Sequence, residues 1–148
     1  MSSGPSNLQL FLGDAQDCAS AMMEMAQYVQ NELPNVKIEE PTRSKLTTLL
    51  PEIAGAGRTL HETVALLYAL QLPAGQKLDQ RGLIQNALQP TSTLLLSLNE
   101  IVGSLSESAK RDPSQSLAFV LVAESAVNIL NPFNRASAAA ERLLAELS

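Results

Sequence analysis

The sequence holds one cysteine, one histidine and no tryptophan, and each scarcity removes a class of function. Cys18 alone cannot close an intrachain disulfide, which fits a reducing, cytoplasmic setting. With His61 the only other soft ligand, the usual four-ligand zinc site is out of reach. The acids of the first forty residues form neither a calcium loop nor a Glu-x-x-His diiron pattern, so no metal or other cofactor is expected. Bases are scarce as well: Lys37 alone stands against Asp14, Asp17, Glu24, Glu32, Glu39 and Glu40 in residues 1–40, and the net charge is −5. No basic face is available for nucleic acid or an anionic lipid surface. No run approaches the ~20 apolar residues that span a bilayer, so no membrane span is expected. The opening Met-Ser-Ser-Gly-Pro-Ser lacks the basic and apolar segments of a signal peptide. Residues 1–6 read as a disordered lead-in and residues 7–148 as a single domain.

Aromatic residues make up 3% of the chain and apolar residues 45%. The core must therefore be aliphatic, a palette that suits helices packed side by side better than sheets. The apolar residues recur with helical spacing. Leu8, Leu12, Ala15, Ala19, Met22, Ala26, Val29 and Leu33 step by four and three in alternation, and Phe11, Cys18 and Met25 widen the stripe. Ser6 or Asn7 can cap its start, and Pro34 stops it. After a connector over 34–40, Pro41 sits where a first helical turn tolerates proline. A second stripe follows: Leu46, Leu50, Ile53, Gly57, Leu60, Val64 and Leu67, ending before Pro73 and Gly75. The third is Ile84, Ala87, Thr91, Leu94, Leu98, Ile101 and Leu105, flanked by Leu88, Leu95, Val102 and Ala109. Its apolar face is the widest, which predicts the most buried helix. Asp112-Pro113 supplies a cap and an N1 proline for the last helix. There Val120, Ala123, Val127, Leu130, Phe133, Ala140, Leu144 and Leu147 are expected to face inward. With short connections, the expectation is all-α: an antiparallel up-down four-helix bundle.

Pro51, Pro90 and Pro132 interrupt three of these patterns in similar contexts, Leu-Leu-Pro, Leu-Gln-Pro and Leu-Asn-Pro. A helical proline loses one hydrogen bond and crowds the preceding turn, so kinked helices are expected. A break at Pro132 would turn four helices into five.

Few residues suggest chemistry. His61-Glu62 follows Arg58 and Leu60 and precedes Val64. A carboxylate beside an imidazole can orient it and take its proton. This stretch resembles the phosphoacceptor box of one class of histidine kinases. That resemblance implies a phosphotransfer component with His61 as acceptor and Glu62 as its partner, set against a plain solvent-facing histidine. Arg58, after Gly55-Ala56-Gly57, could serve as an arginine finger of a bacterial effector acting on a host GTPase. The alternative is that the small residues admit a close helix. Asn131-Pro132-Phe133 matches the tripeptide read by endocytic EH domains, although Phe133 falls on the apolar stripe and is expected to be buried. Cys18 reads as a small buried hydrophobe.

Charged residues are 17% of the chain, below the ~25% of ordinary domains. The outward residues are largely Ser, Thr, Gln and Asn, which shed water cheaply against a partner. In its long helices, small core residues and uncharged polar faces the chain resembles the bundle modules of cytoskeletal adaptors such as talin and vinculin rods. Leu117, Val120 and Leu121 fit the start of a vinculin-binding helix, but Glu124, Ser125 and Asn128 fall where that pattern needs apolar residues. The expected function is a non-enzymatic adaptor or scaffold that binds a partner's amphipathic helix or helical domain, near the first and fourth helices. Homo-oligomerisation is compatible with it.

Overall fold

Ser6 opens the first helix through a reciprocal cap. Its Oγ accepts from the Gln9 backbone N–H at 3.1 Å, and the Gln9 side chain accepts from the Ser6 N–H at 3.0 Å. These bonds satisfy donors that a helix start leaves orphaned. In the computed structural model, which describes residues 6–70 and 80–146, helix α1 runs Asn7–Glu32 and passes into a 3-10 turn at Leu33–Asn35. Pro34 sits in that turn. Helices α2 (Thr42–Leu70), α3 (Gln80–Arg111) and α4 (Ser116–Glu146) follow, and no strand occurs among the described residues. Pro73, Gly75 and Leu147, which entered the sequence reading, lie outside the described residues, as do residues 1–5 of the lead-in.

The stripes read for α1 and α2 are their buried faces. Every residue of the α2 series from Leu46 to Leu67 is buried, and so is every residue of the α1 series except Leu8, which is half-buried. Helix α1 packs on α2 and α4, and α3 packs on the same two helices. Helices α1 and α3 meet only across the core, where the Thr91 hydroxyl lies 3.8 Å from Met22 Sδ.

The helices are continuous through all three internal prolines, so the five-helix alternative fails. Each proline leaves one carbonyl without its helical donor, four residues earlier. Those carbonyls belong to Thr47, Asn86 and Asn128, all exposed residues where water can supply the missing bond.

Two expectations about packing are overturned. Helix α3 is not the most buried. Leu88, Leu95, Val102 and Ala109, its second apolar column, are only half-buried, and α3 makes the least extensive contacts with its neighbours. Helix α4 turns a largely different face inward: of the described residues expected there, Ala140 is buried and Ala123, Phe133 and Leu144 are half-buried. Its core residues include Ala118, Leu121, Val122, Ser125, Ile129, Ala136, Ala139, Ala140 and Leu143, while Val120, Val127 and Leu130 point out. Both faces of α4 are apolar, so periodicity could not choose between them. Size did: alanines and Ser125 let α4 close onto α1, which buries Ala15, Ala19 and Ala26, since helix separation follows the side chains at the contact.

A polar cluster joins the two connectors at one end. Glu39, from the α1–α2 connector, accepts from Ser108 Oγ at 2.7 Å and from the Arg111 guanidinium at 2.6 Å. Lys37 pairs with Asp112 at 2.8 Å. Gln115, almost fully buried, accepts from the Glu39 backbone N–H and donates to both carboxylates. Asp112 also caps the turn Pro113–Gln115 that leads into α4, accepting from Ser114 N–H at 3.1 Å. These donors hold both carboxyls below their usual range: Ser108 and then Arg111 for Glu39, Lys37 and then Ser114 for Asp112. A carboxyl depressed in the folded state contributes stability that is complete above its unfolded pKa of about 4, and loses it as pH falls through the folded value. Stability to urea is therefore expected to fall from pH 5 to pH 2. Asp112→Asn should flatten part of that slope, and an unchanged slope would remove Asp112 as its source.

Candidate functional site

The residues singled out in the sequence do not converge. His61 lies exposed on α2, and its Nδ1 is 2.8 Å from Gln16 Oε1 on α1. The Gln16 amide nitrogen donates to Ser20 Oγ at 3.2 Å, which turns its oxygen toward the imidazole. Nδ1 is then the ring nitrogen that donates to Gln16, and in the neutral ring the lone pair falls to Nε2. Glu62 is exposed and makes no hydrogen bond to the ring. The imidazole is thus oriented by an amide from another helix rather than by the neighbouring carboxylate.

Arg58 is exposed and lines an open cleft between α1 and α2 with Gln27, Gln30 and Asn31. Next to it Gly57 is buried, and a Cβ there would lie 3.1 Å from Met22 Cβ and 3.2 Å from the Ala19 carbonyl. The close helix approach expected from Gly55-Ala56-Gly57 is therefore real at Gly57. Cys18 is fully buried, and burial pushes its thiol up to about 12. It stays a thiol at neutral pH, unsuited to nucleophilic work. Among the described residues no group of three or more His, Cys, Asp or Glu could hold a metal ion.

Phe133 is half-buried rather than buried, and Asn131-Pro132-Phe133 lies inside continuous α4 instead of on an exposed turn. An EH-type reader needs the turn, so helical geometry withholds the motif. Phe133 instead stands in the groove between α3 and α4, shared by two basins. One, of about 290 Å³, is lined by Leu95, Leu96, Leu98, Ala126 and Leu130. The other, of about 340 Å³, is lined by Ile84, Leu88, Ala140, Glu141 and Leu144.

Beside this groove the apolar surface continues into solvent. Leu96 is 67% exposed, Val127 50%, Val120 44% and Leu130 42%, whereas Leu117, 64% exposed, lies about 140° around α4 from Leu130. An isolated exposed leucine means little, whereas several aligned on adjoining helices mark a surface built for contact. The α4 region is also apolar and long enough to cross a membrane by composition alone, contrary to the sequence expectation, and only 28% of its most apolar window is buried. Between α2 and α3 a further open cavity of about 420 Å³ is lined by Thr42, Lys45, Thr48, Glu52, Glu100 and Ser104, and it holds neither histidine nor cysteine.

Sequence reasoning named Val120, Val127 and Leu130 but assigned them to the core. The signal that could have found the exposed face was an excess: α4 carries more apolar residues than one stripe can bury. No protein-family model, no curated protein and no solved structure matches this chain.

Proposed function

We propose that this chain is a non-enzymatic interaction module of the adaptor or scaffold type, which takes a partner's amphipathic helix into the groove between α3 and α4. The architecture proposed with it is the antiparallel up-down bundle. Its support is the pairing of Arg135 with Asp14 and of Asn7 with Glu146 and Arg142, which sets the start of α1 beside the end of α4. The observation that carries the functional reading is the exposed apolar stripe from Leu96 to Leu130 along an apolar groove. A helix laid there would bury leucine-type side chains at i, i+3 or i+4, and i+7. A cytoplasmic location accompanies this reading. Immobilised wild-type chain and Leu130→Glu, both folded by circular dichroism, are to be compared for captured proteins. Partners lost with Leu130→Glu support the groove. Identical capture by both sinks it.

A second reading, phosphoryl transfer through His61, has the Gln16 hydrogen bond in its favour. With Nδ1–H held, Nε2 is the exposed nucleophilic nitrogen. Treatment with phosphoramidate, followed by phosphorus NMR, should give a phosphohistidine signal that forms more slowly in Gln16→Ala. Equal rates in the two proteins would leave His61 an ordinary surface histidine.

A further inference from the structure

We propose that the cleft between α1 and α2 binds a small organic monoanion with an apolar body, a medium-chain carboxylate, whose head group is held by Arg58. The site is separate from the α3–α4 groove and does not depend on what that groove binds.

Arg58 is the arginine that the fold leaves unused. Arg43 donates to the carbonyls of Leu33 and Val36, and Arg81 donates to that of Leu144. Arg111 holds Glu39, Arg135 holds Asp14 and Arg142 donates to Asn7. Among the described residues, Arg58 alone of the arginines has neither an ion pair nor a hydrogen bond from its guanidinium. An acid is within range: Glu62 stands at the i+4 position, a spacing that ordinarily pairs. The guanidinium lies back toward the start of α2 instead, and a Cβ on Gly55 would be 3.9 Å from Arg58 Nη2. Helical side chains lean in that direction, and here it carries the charge into the cleft.

The cleft measures about 420 Å³, inside the range of small-molecule sites. Ala26 and Ala54 are too short to fill the seam between the helices. Ala26 and Leu50, both buried, form the floor, with half-buried Met23 and Ala54 beside them. Gln27, Gln30 and Asn31 supply amide donors, and none of these three side chains is bonded to another described residue.

Charge selects the ligand. The chain carries −5, yet no acid lines this cleft and Arg58 is its one charged residue. Glu24 of α1 is turned about 100° from Met23, off the lining. The cavity between α2 and α3 is the contrast, because its Lys45 is accompanied by Glu52 and Glu100, which oppose an anion. One cation matches one negative charge, which favours a carboxylate over a phosphate dianion. A guanidinium takes a carboxylate through two parallel N–H···O bonds, and the carboxamides add further donors. The floor then covers the apolar chain of the ligand.

Titration of the full chain with octanoate, followed by nitrogen-15 NMR, tests this. The side-chain amide signals of Gln27, Gln30 and Asn31 and the Nε signal of Arg58 are expected to shift and saturate below about 10 mM. Arg58→Gln, at an exposed site that leaves the core intact, should weaken binding about 10-fold or more, as loss of a charge-assisted bond does. Leu130→Glu, on the opposite side of the bundle's core contacts in α4, should leave it unchanged. Octylammonium and acetate, which lack the negative head and the apolar chain in turn, should not shift these signals at the same concentration. The proposal is overturned if octanoate leaves the four signals in place, if Arg58→Gln binds it equally well, or if either control ligand matches it. Octanoate shifts confined to Leu96 and Leu130 would also overturn it, and would show an apolar groove taking up an apolar chain.

Discussion

Phe11→Ala is expected to cost about 3–5 kcal/mol of folding stability, the range for removing a fully buried aromatic ring. Phe11 has no solvent exposure and lies just past the first turn of α1, the helix that packs on both α2 and α4. The chain has only three phenylalanines, and the other two, Phe119 and Phe133, are half-buried. The core cluster that holds Phe11 is otherwise aliphatic apart from Cys18 and the methionines, and it is carried on continuous helices, which limits collapse into the gap. Domains of this size are ordinarily stable by only about 5–15 kcal/mol. The lesion should therefore take a large share of the total and lower the urea midpoint with little change in its slope. A loss below 1 kcal/mol would mean that the neighbouring helices close over the gap.

Gly57→Val should be the most damaging change on α2 that enlarges a side chain. Even a single Cβ there would meet Met22 Cβ and Met23 Cγ at 3.1 Å and the Ala19 carbonyl at 3.2 Å. Met23 can swing aside, but a backbone carbonyl and a Cβ move only if the helices separate. Overpacking of this kind costs about 1–3 kcal/mol and is not offset by better helix propensity. Gly103→Ala on α3 is the matched control. A Cβ there meets nothing within 4 Å, so the gain in propensity, about 1 kcal/mol, should appear as a higher midpoint. If the two substitutions shift thermal stability in the same direction, helix approach at Gly57 is not the controlling factor.

The candidate site was only partly legible in the sequence. His61 could be found as the sole histidine, but its partner could not. Glu62 is its neighbour in the chain, while successive residues on a helix diverge by about 100°. The residue that reaches the ring is Gln16, which lies 45 positions away. Phe133 was placed correctly on an apolar stripe of α4, yet that stripe borders a groove instead of filling the core. The Glu39–Gln115 cluster is not legible along the chain, because its members come from the α1–α2 connector, the end of α3 and the turn before α4, which meet only when the helices are assembled.

By itself the sequence determined that this chain is helical, where its helices start and stop, and which faces of α1 and α2 are buried. Those features depend on caps, prolines and a single apolar stripe, all local along the chain. Tertiary structure alone decided which face of α4 turns inward, how loosely α3 is held, and that the apolar residues left over line a groove open to solvent. The physical reason is that α3 and α4 carry more apolar surface than one core can hold. Which part of it stays outside depends on how closely the helices approach, and that distance is set by Ala15, Ala19, Ala136, Ala139 and Ala140 together.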